Sequence, residues 1–366
     1  MISDSKVAKA FFTLLRSGLW DKSIDDLDCF PIQDSEWEAV YKLALAQTVE
    51  GLVYDGVNKL PKAYLPPRKL LLGWVVRVSK LENLNAMMNS CITEQVSLFD
   101  RLKVSVVLLK GQGLATYYKL PNHRVCGDID WFFDSKKESK LVESVLIRNR
   151  VNITHQTDDS IYYKWKMCEV EHHTKLFDVF SPIASYKLKK LKKAFFKDKI
   201  KVNDFYSLPP NLNILQINLH ILKHLLAFGI GLRQFCDSAI LYASMEGKYD
   251  KNWLYKTYKD IGVINWVHDL HHLLVNYLGL PFSSLPFGIR SNSSSKKMIE
   301  DVLMAGNFGF FDEKHNELTA ANIIERRNKS SRLWYSFKRY FSVAPYEAIS
   351  FPFVHFAERF KAIASG

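Results

Sequence analysis

Two aspartates one residue apart, Asp128 and Asp130, carry the clearest chemical signal in this chain. On a β-strand, residues i and i+2 point to the same face, so both carboxylates project together. Adjacent carboxylates repel unless a proton or cation sits between them. Magnesium, a hard ion that prefers oxygen, is the natural occupant. The same pair also fits a turn or a solvated strand end, so the neighbouring residues decide. Upstream, the apolar run Val106–Leu109 ends in Lys110-Gly111-Gln112-Gly113, which predicts a buried strand, a tight turn and a helix over Leu114–Tyr118. Backbone N–H groups at a helix start offer an anion site for a triphosphate. An ordinary turn needing glycine for positive φ is the alternative. Downstream, Glu169, Glu171 and His173 alternate along a strand expected within Cys168–Phe180, so a third carboxylate can approach the pair. Three carboxylates beside a glycine turn suit two-metal phosphoryl transfer, with ions roughly 4 Å apart.

Residues 106–134 read VVLLKGQGLATYYKLPNHRVCGDIDWFFD. This stretch resembles the nucleotidyltransferase superfamily that includes DNA polymerase beta and the aminoglycoside-modifying enzymes. It is more similar still to a group of uncharacterised bacterial nucleotidyltransferase-family proteins. That group's pattern is matched by Lys110-Gly111, Arg124, Asp128-Ile129-Asp130, then Glu171 and His173, and finally His224, Gly229–Gln234 and Asp237. The resemblance spans roughly residues 35 to 245. It implies that Asp128 and Asp130 hold magnesium, one ion or two, and that Glu171 is the third metal-holding carboxylate and accepts the acceptor's proton. It further implies that Gly111 and Gly113 shape a phosphate turn while Lys110, Arg124 and Arg233 neutralise phosphate. The substrates it implies are an NTP and a hydroxyl-bearing acceptor, with pyrophosphate released. One departure stands out: the wider superfamily has Gly-Gly-Ser or Gly-Ser at the turn, whereas this chain has Lys-Gly-Gln-Gly. A non-catalytic nucleotide-binding or adaptor protein on the same fold is therefore the second reading.

Other clusters have plainer explanations. His220 and His224 are spaced for a zinc pair, but Ile-Leu-Lys between them breaks the His-Glu-x-x-His pattern, and His224 is expected to pack near Arg233 and Asp237. Arg233 and Asp237 suit an i, i+4 ion pair. His268, His271 and His272 lie in an apolar helix and read as a structural or surface cluster. Eight lysines between Lys187 and Lys201 can track nucleic acid, yet a solvated face accounts for them with no RNP or zinc-finger motif nearby. The basic-aromatic stretch 332–341 can contact an anionic membrane, stack on bases or close the helical core, and the core is favoured.

Positioning these groups requires strands in one short region and helices elsewhere. Trp37, Val40, Tyr41, Ala44, Leu45, Val49 and Leu52 recur at helical spacing within Glu36–Leu60, and Pro66-Pro67 opens a helix running to about Lys103. Further strands are expected at Gly127–Phe133 and Ile161–Lys166, with a helix over Ser135–Arg148 between them. From Ser185 the pattern is helical again: Leu212–Phe228, Leu232–Met245, and stretches near 252–260, 264–278, 296–304 and 319–340, with a loop at Ser291–Ser295. The fold class is therefore α+β, a small mixed sheet embedded in helices. Its parts are an N-terminal helical region (1–104), an α/β core (105–182) and a C-terminal helical region (183–366).

Composition bounds the rest. The 366 residues are 48% hydrophobic and 24% charged, which excludes a disordered or collagen-like chain. No apolar run reaches the roughly 18 residues that span a bilayer, and the charged N-terminus lacks a signal-peptide core, so a cytoplasmic location is expected. Five scattered cysteines form no CxxC pair, which argues against a disulfide framework or zinc knuckle. A net charge of +12 favours anionic partners.

Overall fold

The computed structural model describes residues 4–155, 160–227, 229–290, 294–307, 316–318, 324–326 and 329–364. Four helices come first: α1 (Lys6–Trp20), α2 (Asp34–Ala46), α3 (Glu50–Val57) and the 35-residue α4 (Arg68–Leu102). Ser5 starts α1 by accepting from the Ala8 N–H, which satisfies one donor that the helix itself leaves open. The single helix expected over Glu36–Leu60 is two, because the chain turns at Thr48 with φ 53° before α3 begins. Helices α1 and α3 cross at backbone contact: a Cβ on Gly56 would sit 2.1 Å from the Leu14 carbonyl oxygen.

The α/β region follows as β1 (Val106–Leu109), α5 (Gly111–Ala115), β2 (Asp128–Phe133), α6 (Lys136–Arg148), β3 (Ile153–His155), β4 (Ile161–Trp165) and β5 (Cys168–His173). Helix α5 starts three residues earlier than the sequence pattern suggests, directly on the glycine turn, and β5 ends seven residues before Phe180. The sheet order is β1-β2-β5-β4-β3, with only β2 and β5 parallel. After β5 come α7 (Pro182–Phe195), β6 (Ile200–Val202), β7 (Phe205–Ser207), α8 (Pro210–Ala227), α9 (Leu232–Ser244), α10 (Lys251–Asp260), α11 (Ile264–Asn276), α12 (Ser294–Ala305), β8 (Asn316–Leu318), β9 (Ile324–Arg326), α13 (Lys329–Tyr340) and α14 (Pro345–Ala364).

The C-terminal half is thus not purely helical. The lysine-rich stretch ends in the β6–β7 hairpin, turned at Asn203 with φ 51°. Of the helix expected at 319–340, residues 319–323 and 327–328 lie outside the described residues, 324–326 form β9 paired with β8, and α13 runs from Lys329. Of the loop expected at 291–295, residues 291–293 lie outside the described residues, and Ser294 and Ser295 open α12.

Strand alternation divides the sheet's two faces between two apolar clusters. Val106, Leu108, Ile129, Trp131, Phe133 and Val170 face one cluster, closed by Met88, Ile92 and Phe99 of α4 and by Val142 and Leu146 of α6. The Trp131 indole donates to Gln95 of α4, so the ring's polar edge is satisfied inside that layer. Val107, Leu109 and Phe132 face the larger cluster, built from α1–α3 and the helices beyond residue 210. Asp128 and Asp130 alternate with the first set and therefore stand on the helix-clasped face.

The basic-aromatic stretch corrects the expectation made for it. Trp334 is 59% exposed and Phe341 44%; among the described side chains of the stretch, Tyr340 joins the core. Trp334 and Phe337 stack on each other at 5.6 Å on the outside of α13. Most of the lysine run is exposed, as a solvated face requires; the half-buried Lys192 pairs with Asp134 at 2.6 Å.

Candidate active site

Register brings the acidic groups together. The parallel pairing of β2 with β5 sets Asp128 opposite Glu169, Asp130 opposite Glu171 and Phe132 opposite His173. Asp130, Glu171 and His173 offer ligand atoms that all lie within 4.8 Å of one another. His173 Nε2 is 2.7 Å from Asp130 Oδ1 and 3.7 Å from Glu171 Oε2. Ser160 donates to Glu171 Oε1 at 3.3 Å. Glu169 is exposed outside the cavity wall, whereas Glu171 lines it, so the two acids that spacing leaves equivalent are separated by position.

These groups line a cavity of about 220 Å³ shared with Lys110, Gly111, Arg124, Gly127, Asp178, the α8 residues His220, Lys223 and His224, and the α9 residues Arg233 and Asp237. Lys110 closes β1 with φ 45° and ψ −144°, a conformation in which a Cβ is strained. Its ammonium reaches Asp130 Oδ1 at 3.2 Å. Gly111 follows at φ 37°, and a side chain there would approach the Asp128 carbonyl to 3.1 Å. The turn thus lies directly against the carboxylate strand. Helix α5 has only five residues, too few to build a useful dipole, so the anion site expected at its start reduces to the turn itself and the cations around it.

Charge organises the cavity into two ends. Asp128, at the mouth, is pushed up to about 6, first by the charge of Asp130 and then by burial. Burial also opposes ionisation of Asp130, but Lys110 and His173 outweigh it and hold that carboxyl well below its usual range. The pair therefore ionises in two steps, Asp130 first. Burial works against the charge on His173, yet the hydrogen bond and charge of Asp130 raise its pKa. Lys110 behaves likewise: burial disfavours its charge, and Asp130, Asp128 and Asp178 more than restore it. Around α8, burial and then the charge of Lys110 push His220 far below its ordinary value. His224 falls to about 3 through burial, followed by Lys223 and Lys110.

The two arginines divide the work. Arg124 lies in the cavity wall, but its guanidinium is committed to Asp237, with Nε and Nη2 donating to the two carboxylate oxygens at 2.6 and 2.7 Å. Tyr118 donates to the same carboxylate at 2.7 Å. Arg124, expected to neutralise phosphate, therefore ties the turn before β2 to α9. The i, i+4 pair expected between Arg233 and Asp237 gives way to this longer-range one. Arg233 donates from Nη1 to the Val125 carbonyl at 2.8 Å, and its buried Nε has no hydrogen-bond partner. Burial, then the charge of Arg124, lowers its pKa. Gly113 does not line the cavity: its Cα packs on β1, where a Cβ would meet the Leu108 carbonyl at 3.3 Å.

A family model described as uncharacterised nucleotidyltransferase matches residues 33–279, about two thirds of the chain. The chain belongs to this nucleotidyltransferase family. No curated protein and no solved structure matches it. The donor set fits a divalent cation: Asp130, Glu171 and His173 offer ligand atoms within 4.8 Å of one another, and Asp128 lines the same cavity.

Sequence spacing missed two groups that the fold adds to the cavity, Asp178 and Lys223, and did not place His220 there. Asp178 arrives from the loop after β5 and is paired with Lys223 at 2.8 Å. His220 comes from α8, its ring 4.3 Å from that of His224. No local motif marks Asp178 or Lys223; His220 and His224, whose spacing stood out in the sequence, belong to the α8 stripe Ile217, His220, Ile221 and His224, at i, i+3, i+4 and i+7, that lines the cavity. The second histidine cluster disperses: His268 faces the Gly288 carbonyl, His271 faces Tyr242, and His272 faces Ser295.

Proposed function

We propose that this protein transfers a nucleoside monophosphate from an NTP to an acceptor hydroxyl at this cavity, using divalent cations held by Asp128, Asp130 and Glu171. The observation that carries the reading is the β2–β5 register, which sets Asp130 beside Glu171 in a cavity that also receives Lys110 and Arg233. The acceptor oxygen attacks the α-phosphorus, the bond to the β-phosphate oxygen breaks, and pyrophosphate leaves with the electron pair. Glu171 takes the hydroxyl proton. Bound cations lower the charge that builds on the phosphoryl oxygens. Lys110 and Arg233 hold the triphosphate by charge-assisted hydrogen bonds. Arg124 acts on this chemistry at one remove, by fixing α9 and hence Arg233.

Pyrophosphate release tests the proposal. The full chain is incubated with each of the four NTPs, magnesium or manganese, and a panel of sugar, nucleoside, peptide and RNA acceptors. Asp128→Asn/Asp130→Asn should lose at least about a hundredfold of any release, consistent with removing several kcal/mol of charge stabilisation. Equal release by both proteins would exclude this cavity. The Lys-Gly-Gln-Gly turn, which lacks a serine, favours one other outcome: metal-dependent NTP binding without release, as expected of a nucleotide-binding adaptor.

A further inference from the structure

Two carboxylates and an imidazole, those of Asp130, Glu171 and His173, offer ligand atoms within 4.8 Å of one another in the cavity. Phe132 pairs with His173 in the sheet register, which carries the imidazole one residue pair past Glu171 on the same face. Its Nε2 lies 2.7 Å from Asp130 Oδ1 and 3.7 Å from Glu171 Oε2. Ligand bonds of about 2.1 Å place neighbouring donors of an octahedral ion about 3 Å apart. The two observed separations bracket that value. The neighbouring His172 is no competitor: it points to the opposite face, where Tyr163 Oη lies 2.8 Å from its Nε2.

We infer that His173 is a metal ligand together with Asp130 and Glu171, and that this site selects a first-row transition-metal divalent cation over magnesium. Magnesium demands oxygen donors and gives up water reluctantly, so an imidazole in its shell is a poor substitute. Imidazole nitrogen suits the softer first-row ions, whose affinities for mixed nitrogen and oxygen sites exceed that of magnesium. The surroundings orient the ligands. Ser160 holds Glu171 Oε1, so Oε2 is the oxygen facing the imidazole, and Lys110 supports Asp130 Oδ1 from the turn. The role of the ion rests on the nucleotidyl-transfer reading above; its presence at His173 is tested without any nucleotide.

Manganese(II) is the probe. It is titrated into the nucleotide-free full chain, and paramagnetic resonance follows loss of the free aqua ion and echo modulation from directly bound nitrogen. Wild type should bind manganese with nitrogen modulation, and magnesium should displace it only at an excess on the order of tenfold or more. His173→Asn should lose the modulation and bring the displacement ratio toward one; His220→Asn should keep both. If His173→Asn does not fold, His173→Gln makes the same comparison, and the wild-type displacement ratio stands alone. No nitrogen modulation in wild type, modulation that survives both His173 substitutions, or a ratio near one would overturn the inference. Manganese bound through nitrogen with no pyrophosphate release would count against the transfer reading alone.

Discussion

Replacing each cavity arginine by glutamine should separate their roles: one change destabilises the fold and the other does not. Arg124 is 4% exposed and its partner Asp237 is 3% exposed, with a two-point hydrogen-bonded fork between them. Arg124→Gln leaves the Asp237 carboxylate buried with Tyr118 as its remaining donor, and breaking a buried pair from one side costs about 3–5 kcal/mol. With a urea m-value near about 3 kcal/mol/M, the unfolding midpoint should fall by about 1–2 M. Arg233 is the reverse case. Its Nε is buried without a partner and the fold lowers its pKa, so its charge is disfavoured by the protein itself. Arg233→Gln should therefore leave the midpoint unchanged or raise it. In nucleotide titrations the order inverts: Arg233→Gln loses about 1.5–3 kcal/mol of NTP affinity, about ten- to 150-fold, the worth of a hydrogen bond to a charged group. A double replacement, Arg124→Met/Asp237→Leu, should cost less than the two single changes summed, because no unpaired charge remains. Arg124→Gln folding as stably as wild type, with Arg233→Gln strongly destabilised, would refute the assignment of roles.

Gly56→Ala should destabilise by about 3 kcal/mol or more, since its Cβ would overlap the Leu14 carbonyl at 2.1 Å with helix backbone on both sides; a thermal midpoint within a degree of wild type would contradict this crossing. The buried His271, beside Tyr242 at 3.0 Å, titrates near 3 in place of its ordinary 6.5, because burial disfavours the cation. The unfolded chain therefore binds a proton between pH 6.5 and 3 that the folded chain refuses. Its contribution is complete above the unfolded value and falls by about 1.4 kcal/mol per pH unit below it. His271→Gln should flatten the acid limb of the stability curve by about that slope, and an unchanged limb would show that His271 is not the group responsible.

The strand–turn–strand of the site was readable because three independent signals agreed there: β-branched runs, glycine punctuation and alternating carboxylates. Ser135 shows the same agreement, capping α6 by accepting from the Glu138 N–H where the sequence begins its helix. Expectation failed where the local signal was weak or pointed elsewhere. Thr48 breaks a helical pattern with no glycine or proline to announce it. Lysines mask β6, although Asn203-Asp204 is a legible turn signal. The sequence pattern assigns no element to α14, which carries Pro352; tertiary packing holds it, with Glu347 accepting from the Phe180 and Ser181 N–H groups at the start of α7. Within the site, spacing brings Arg233 and Asp237 together, but the choice of Arg124 over Arg233 by Asp237 is a tertiary fact. No window of sequence contains both members of that pair, which stand 113 residues apart.

Lys110 shows why the turn departs from the glycine-serine form. At φ 45° and ψ −144° a lysine sits where glycine is at ease, at a cost of about 1–3 kcal/mol. Such strain persists where something nearby offsets it, and the ammonium on Asp130 is that compensation, since the carboxylate is 3% exposed and lies beside a second aspartate. The two effects separate by substitution. Lys110→Ala removes the ammonium and keeps the Cβ; Lys110→Gly removes both. Glycine loses about 0.5–1 kcal/mol more chain entropy on folding, so after that correction Lys110→Gly should be more stable than Lys110→Ala by up to about 2.5 kcal/mol. Both should be less stable than wild type when metal is absent. Divalent cation should narrow that gap, because it supplies the positive charge that the lysine gave. Alanine more stable than glycine in urea titrations would mean that the backbone at residue 110 is not strained, and that the lysine stands there for its charge alone.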